Sequence, residues 1–168
     1  GHEGAQVLEV RGCRHGADCS TPTGLQRVEW RGHCAAWADS AFRPEALAGG
    51  CLQEELGRFL RELSPGQRAQ VTVATKFGIV REPGRYERRI DNSPAYIRQA
   101  CDASLQRLGV ERIDLYYCHR RDPAVPLEEL MGTLGDLVRA GKITAVGLSE
   151  VSAESLRAAH ALHPVAAV

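Results

Sequence analysis

The 168-residue sequence contains no apolar run near the roughly 18 residues that a membrane-crossing helix needs, and no basic-then-apolar leader opens it. A soluble chain with no membrane partner is expected. Net charge is also missing, since 21 basic residues balance 21 acidic ones. Nucleic acid or an anionic membrane would call for a basic excess, so neither is expected as a partner and a small ligand is easier to accommodate. Tyrosine does not occur before Tyr86. The cysteines form no evident disulfide framework: Cys13, Cys19, Cys34, Cys51, Cys101 and Cys118 are scattered, and two fall in expected core elements where a thiol acts as a small hydrophobe. This favours a reduced, cytoplasmic protein.

With 43% hydrophobic and 25% charged residues, the chain can bury one core of ordinary size. Its halves are unequal in pattern. Residues 1–50 mix Gly, Arg, Cys, His and Trp without a sustained period, with short strands expected at most over Val7–Val10 and Arg27–Trp30. Cys13, His15, Cys19, His33 and Cys34 invite a zinc reading, but their spacing matches no common structural site, and no metal is assigned. From residue 51 the pattern sharpens. Leu52, Leu56, Phe59, Leu60 and Leu63 recur on one helical face until Ser64-Pro65-Gly66 stops them. Residues 1–50 are thus read as a divergent segment and 51–168 as the folded unit.

Within 51–168 the organising stretch is Ile113-Asp114-Leu115-Tyr116-Tyr117-Cys118-His119-Arg120, an apolar run that ends in a histidine and arginines. So dense a β-branched and aromatic run reads as a parallel strand covered on both faces. Val71-Thr72-Val73-Ala74-Thr75-Lys76 is a second such run, and Ile143 to Leu148 a third that delivers Ser149 and Glu150. Val165-Ala166-Ala167-Val168 opens a fourth. Helices fall between them: one capped by Ser93-Pro94 with Ile97, Cys101, Leu105 and Leu108 inward and Gly109 as stop, one from Leu127 to Ala140, and one capped by Ser152 with Leu156, Ala159 and Leu162 inward. Phe77-Gly78 is expected to begin a long loop holding Pro83 and Gly84, where a lid would sit. This alternation predicts α/β architecture with right-handed βαβ units. Carboxyl ends of parallel strands open on one face, so Lys76 and His119 are expected to share a site.

Ala74-Thr75-Lys76-Phe77-Gly78-Ile79, Tyr116-Tyr117-Cys118-His119-Arg120, Gly141-Lys142-Ile143, Gly147-Leu148-Ser149-Glu150 and the tail from Arg157 to Val165 together resemble the aldo-keto reductase family, in its bacterial and plant branch. The resemblance covers residues 51 to 168. It implies a (β/α)8 TIM barrel, of which this chain supplies part, and NADPH-dependent reduction of aldehydes or ketones to alcohols by hydride transfer. In that family a tyrosine gives the carbonyl oxygen its proton, a lysine beside it lowers the tyrosine's pKa, an aspartate holds the lysine and a histidine orients the carbonyl. Lys76 and His119 match the lysine and histidine, Asp39 in Asp39-Ser40-Ala41 echoes the aspartate, and Ser149 with Glu150 matches the nicotinamide-holding position.

The departures are equally specific. Pro44 stands where the family tyrosine would follow Asp39, and the family's adenosine-phosphate contacts come from later strands than the sequence holds. The chain is accordingly read as incomplete at both ends. The competing expectation is a catalytically inactive remnant or binding subunit that uses the half-barrel for protein contacts, with self-association through the open barrel edge. Taken singly, several residues have plainer readings. Tyr116 and Tyr117 are core, His160 and His163 sit at a helix end that favours partial positive charge, and Arg120 and Arg121 are surface charges or partners of Asp122 or Glu150.

Overall fold

The computed structural model describes residues 2–3, 49–81 and 88–168. The expected strands at Val7–Val10 and Arg27–Trp30, the zinc candidates before residue 35, Asp39, Pro44 and Tyr86 lie outside them.

Four strands, β2 (Ala74–Phe77), β5 (Ile113–Cys118), β6 (Ile143–Leu148) and β7 (Val165–Ala167), form a parallel sheet in chain order. Helices α3 (Pro94–Leu108), α4 (Leu127–Arg139) and α5 (Ala153–Leu162) fill the three connections. Sequential order with a helix at every crossover is the arrangement of barrel staves. A separate antiparallel sheet joins β1 (His2–Glu3), β3 (Ile79–Arg81) and β4 (Arg88–Ile90), with β3 in the middle. Helix α1 (Gly49–Glu62) and the one-turn α2 (Pro65–Arg68) precede β2.

Strand alternation divides the parallel sheet into two faces. Val73, Thr75, Phe77, Tyr116, Cys118, Val146 and Leu148 are all buried on the helix side, and Phe77 stacks on Tyr116 at a centroid distance of 4.8 Å. Helix α4 contributes Leu130, Met131, Leu134 and Leu137 to that core, and α3 contributes Ile97, Cys101 and Leu108. The caps of α3 act as their residue types require. The Ser93 hydroxyl accepts from the Tyr96 amide, and Gly109 closes the helix at φ 65°, where a side chain would be strained.

One buried polar network ties α1 to the sheet. Gln53, fully buried, donates to the Thr75 hydroxyl at 2.8 Å and to Ser104 at 3.2 Å, and accepts from Arg107 Nε at 2.6 Å. Because each of its partners is itself on β2 or α3, the amide fixes three elements at once. Gly57 allows the close approach: a Cβ there would lie 2.7 Å from the carbonyl oxygens of Arg107 and Leu108.

Four expectations are corrected. The strand expected over Val71–Lys76 runs instead from Ala74 to Phe77; the Val73 amide is taken by the Asp114 carboxylate at 2.8 Å before the ladder starts. The segment after Phe77 is not wholly a loop, since Ile79–Arg81 pairs with Arg88–Ile90 as a hairpin. Ser64-Pro65-Gly66 ends α1 and also starts α2, with Ser64 and Gln67 forming a reciprocal capping box. Leu162 is 48% exposed, because α5 buries only Ala159 fully.

Candidate active site

The carboxyl ends of the parallel strands step outward in register. The His119 amide donates to the Phe77 carbonyl at 2.9 Å, and the Ser149 amide donates to the Cys118 carbonyl at 3.0 Å, so each strand runs one residue past its neighbour's last carbonyl. Lys76 pairs in register with Tyr117, and Tyr117 with Gly147. His119 and Ser149 are the first residues after β5 and β6, two positions beyond Tyr117 and Gly147. Lys76, His119 and Ser149 are all half-buried.

Glu150 leaves this row. Its φ of 53° is the left-handed region, unusual for a side chain of this size, and it turns the chain from β6 towards α5. The turn carries its carboxylate to Arg120, at 2.9 Å, and both side chains are about half exposed. That pair spans the mouth from the loop after β5 to the loop after β6 and selects Glu150 among the partners the sequence left open. Arg121 is instead half-buried, and its Nε finds no hydrogen-bond partner among the described residues.

The loop that carries His119 is fixed from behind. Asn92 is fully buried, and its Oδ1 accepts from the Asp122 amide at 2.5 Å and lies 3.8 Å from Cys118 Sγ. Gly78, at φ 105°, makes room for it, since a Cβ there would approach Asn92 Nδ2 to 2.9 Å. Burial pushes the Cys118 thiol up to about 12, against smaller opposing effects from the Arg120 backbone and the Arg121 charge. Cys118 is therefore a packed thiol and not a nucleophile. Sequence reading missed Asn92 because a buried asparagine beside a helix cap looks like any turn residue.

The remaining residues behave less exceptionally. Tyr116 is buried in the helix-side core, as expected, whereas Tyr117 lies on the Lys76 face with its ring 5.2 Å from the ammonium. His160 Nδ1 accepts from the Val165 amide at 3.1 Å and so links α5 to β7. Among the described residues no group of three His, Cys, Asp or Glu side chains is placed to hold a metal.

A model of the aldo/keto reductase family matches residues 50–168. The chain belongs to this family. It is 42% identical over 135 residues to the aldo-keto reductase yakc of Schizosaccharomyces pombe, named for NADP(+), covering 80% of this chain and 38% of that protein. It is 47% identical over 113 residues to a probable aldo-keto reductase of Glycine max, covering 67% of this chain and 32% of that protein. The chain thus spans well under half the length of these relatives. Among solved structures, a glycerol dehydrogenase from Gluconobacter oxydans superposes with a TM-score of 0.64 at 36% identity, over 72% of this chain and 37% of that one. An aldo/keto reductase from Klebsiella pneumoniae in complex with NADP and acetate gives 0.51 at 30% identity, over 68% and 35%. As in those aldo-keto reductases, the parallel sheet here is a run of adjacent TIM-barrel staves with their outer helices.

Proposed function

We propose that this aldo-keto reductase chain serves NADPH-dependent reduction of small aldehydes or ketones to alcohols, in the cytoplasm, with residues 51–168 as the catalytic part and 1–50 as a divergent segment. What supports this reading is register: Lys76 pairs with Tyr117, and the His119 and Ser149 amides continue the ladder, so an ammonium, an imidazole and a hydroxyl belong to the carboxyl ends of three neighbouring strands. Carboxyl-terminal mouths are where (β/α)8 enzymes keep their chemistry.

The donor set suits one end of the cofactor. Ammonium, imidazole and hydroxyl fit a carboxamide and a carbonyl oxygen, while the guanidinium nearest them in sequence, Arg120, is already engaged by Glu150. Bound at that mouth, NADPH would supply the hydride to the carbonyl carbon, and the oxygen would take a proton from an acid of the protein. His119 directs an N–H at the carbonyl oxygen and so fixes which carbon is presented. Lys76 stabilises the developing negative charge on that oxygen or on its proton donor. Ser149 holds the carboxamide, and Glu150 sets the position of the loop that carries it.

No tyrosine stands in the family position, so the rate is expected to be low: a placed acid is worth roughly two to four powers of ten, or about 3–5 kcal/mol of barrier. The catalytically inactive alternative is favoured by one observation. Among the described residues strand β7 pairs with β6 alone, and beside it a groove of about 550 Å³ is lined by Leu156, His160, Val165 and Val168. Such an edge supports self-association.

Titration with NADPH while following nicotinamide fluorescence, then addition of a reactive aldehyde while following absorbance, separates these readings. Binding with turnover that Lys76→Met and His119→Ala each abolish supports the reductase. Absence of both binding and turnover overturns it in favour of the remnant.

A further inference from the structure

Two further contacts lie on the Lys76 face. Gly147 lies inside β6 with no left-handed backbone to demand a glycine. Its constraint is spatial. A Cβ at that position would lie 2.4 Å from Cδ1, 2.5 Å from Cε1 and 2.8 Å from Cγ of the Tyr117 ring. Tyr117 is its register partner on β5, so the ring starts at the same height and lies down over the β6 backbone where any larger residue would block it. Lys76 is the partner of Tyr117 on the opposite side, and its ammonium stands 5.2 Å from the ring centroid, inside the range of a cation–π contact. Three strands therefore contribute one side chain, one ring and one bare backbone to a single layer.

We infer that Tyr117 is a positioning residue: its ring, seated on Gly147, holds the Lys76 ammonium over the mouth of the site. This rests on the reading of Lys76 as the ammonium that acts beside the reacting oxygen. A lysine stem has four carbons and considerable rotamer freedom, so an ammonium that must stand at one place needs something to lean on. A carboxylate would do this by neutralising the charge. An aromatic face attracts the cation while occupying none of its N–H donors, and leaves its charge available to an oxygen in front of it. The ring is fixed by the backbone of β6, which makes the support rigid.

The sequence offers an unusually clean test, because Lys76 and Lys142 are its two lysines. Lysine labelled with 13C at Cε gives two methylene signals in the full chain, and Lys142, paired with Asp102 on the far side of the fold, is the internal control. The expected result is an upfield ring-current displacement of the Lys76 methylene protons and cross-relaxation between them and the Tyr117 ring. Tyr117→Phe keeps the displacement, Tyr117→Leu removes it, and Gly147→Ala reduces it by lifting the ring, while the Lys142 signal stays in place in all three. A merely structural role for Tyr117 would disturb both lysines or neither.

The inference is overturned if the wild-type Lys76 signal shows neither displacement nor cross-relaxation, whether or not Tyr117→Leu folds. It is overturned equally if Tyr117→Leu folds and leaves that signal unchanged. Neither measurement uses cofactor or substrate. Failure of the reductase reading would leave the contact standing, and loss of the contact would leave the turnover assay to be judged by itself.

Discussion

At the scale of single residues, burial decides which reactive-looking groups are inert. Cys101 and Cys118 sit where burial raises both thiols to about 12; for Cys101 the nearby Asp102 charge adds to this and Lys142 opposes it. Alkylation at pH 8 followed by site-resolved mass spectrometry should leave both unmodified in the native chain and label both in denaturant. Asp91 behaves in the opposite sense. Burial alone would raise its carboxyl, but hydrogen bonds from Ser93 and the Arg89 guanidinium outweigh it and hold the group below its ordinary value. A depressed carboxyl contributes stability above its unfolded pKa and loses it as pH falls through the folded value, so the effect belongs to the region below about pH 4. Asp91→Asn should lower stability near neutrality and flatten the acid limb of a urea-midpoint profile between pH 6 and 2. Lys76 and His119 were legible as strand-end groups from sequence alone. Tyr117 was not, since its partner Gly147 is thirty positions away and only register brings them together.

Among elements, the contact of α1 with α3 is the most demanding. Alanine favours a helix over glycine by about 1 kcal/mol, yet at Gly57 its methyl would meet two α3 carbonyls at 2.7 Å. The clash wins, and Gly57→Ala is expected to cost about 1–3 kcal/mol, read as a lowered urea midpoint with unchanged slope. Gln53→Ala should cost a comparable amount, about 1–3 kcal/mol, by removing its buried hydrogen bonds with Thr75, Ser104 and Arg107. Sequence pattern gave α3 almost to the residue, because Ser93-Pro94 and Gly109 are local signals with local causes. The β3–β4 hairpin escaped it. Ile79-Val80-Arg81 and Arg88-Arg89-Ile90 are short and rich in charge, and what makes them strands is each other. Leu162 illustrates the converse error, for a helical stripe is drawn by spacing, whereas burial needs a neighbouring surface, and Leu162 stays 48% exposed.

For the whole molecule, the parallel sheet sets both what the chain can bind and what it can stick to. The Arg120–Glu150 pair links two loops at its mouth and is exposed enough for salt to weaken it. Among the described residues its flank at β7 presents Ala166 beside the α5 groove. On the alternative reading of self-association, sedimentation velocity at rising concentration shows mass above that of a monomer, and Ala166→Lys reverses it, as a lysine blunts a pairing edge. A monomer at all concentrations would remove self-association from the account. The strand order has one more effect. Every stave of the sheet hydrogen-bonds to the one translated just before it, so a nascent chain can add each new stave to an edge that already exists. Assembly on the ribosome can then proceed by zippering, without waiting for distant partners to be made.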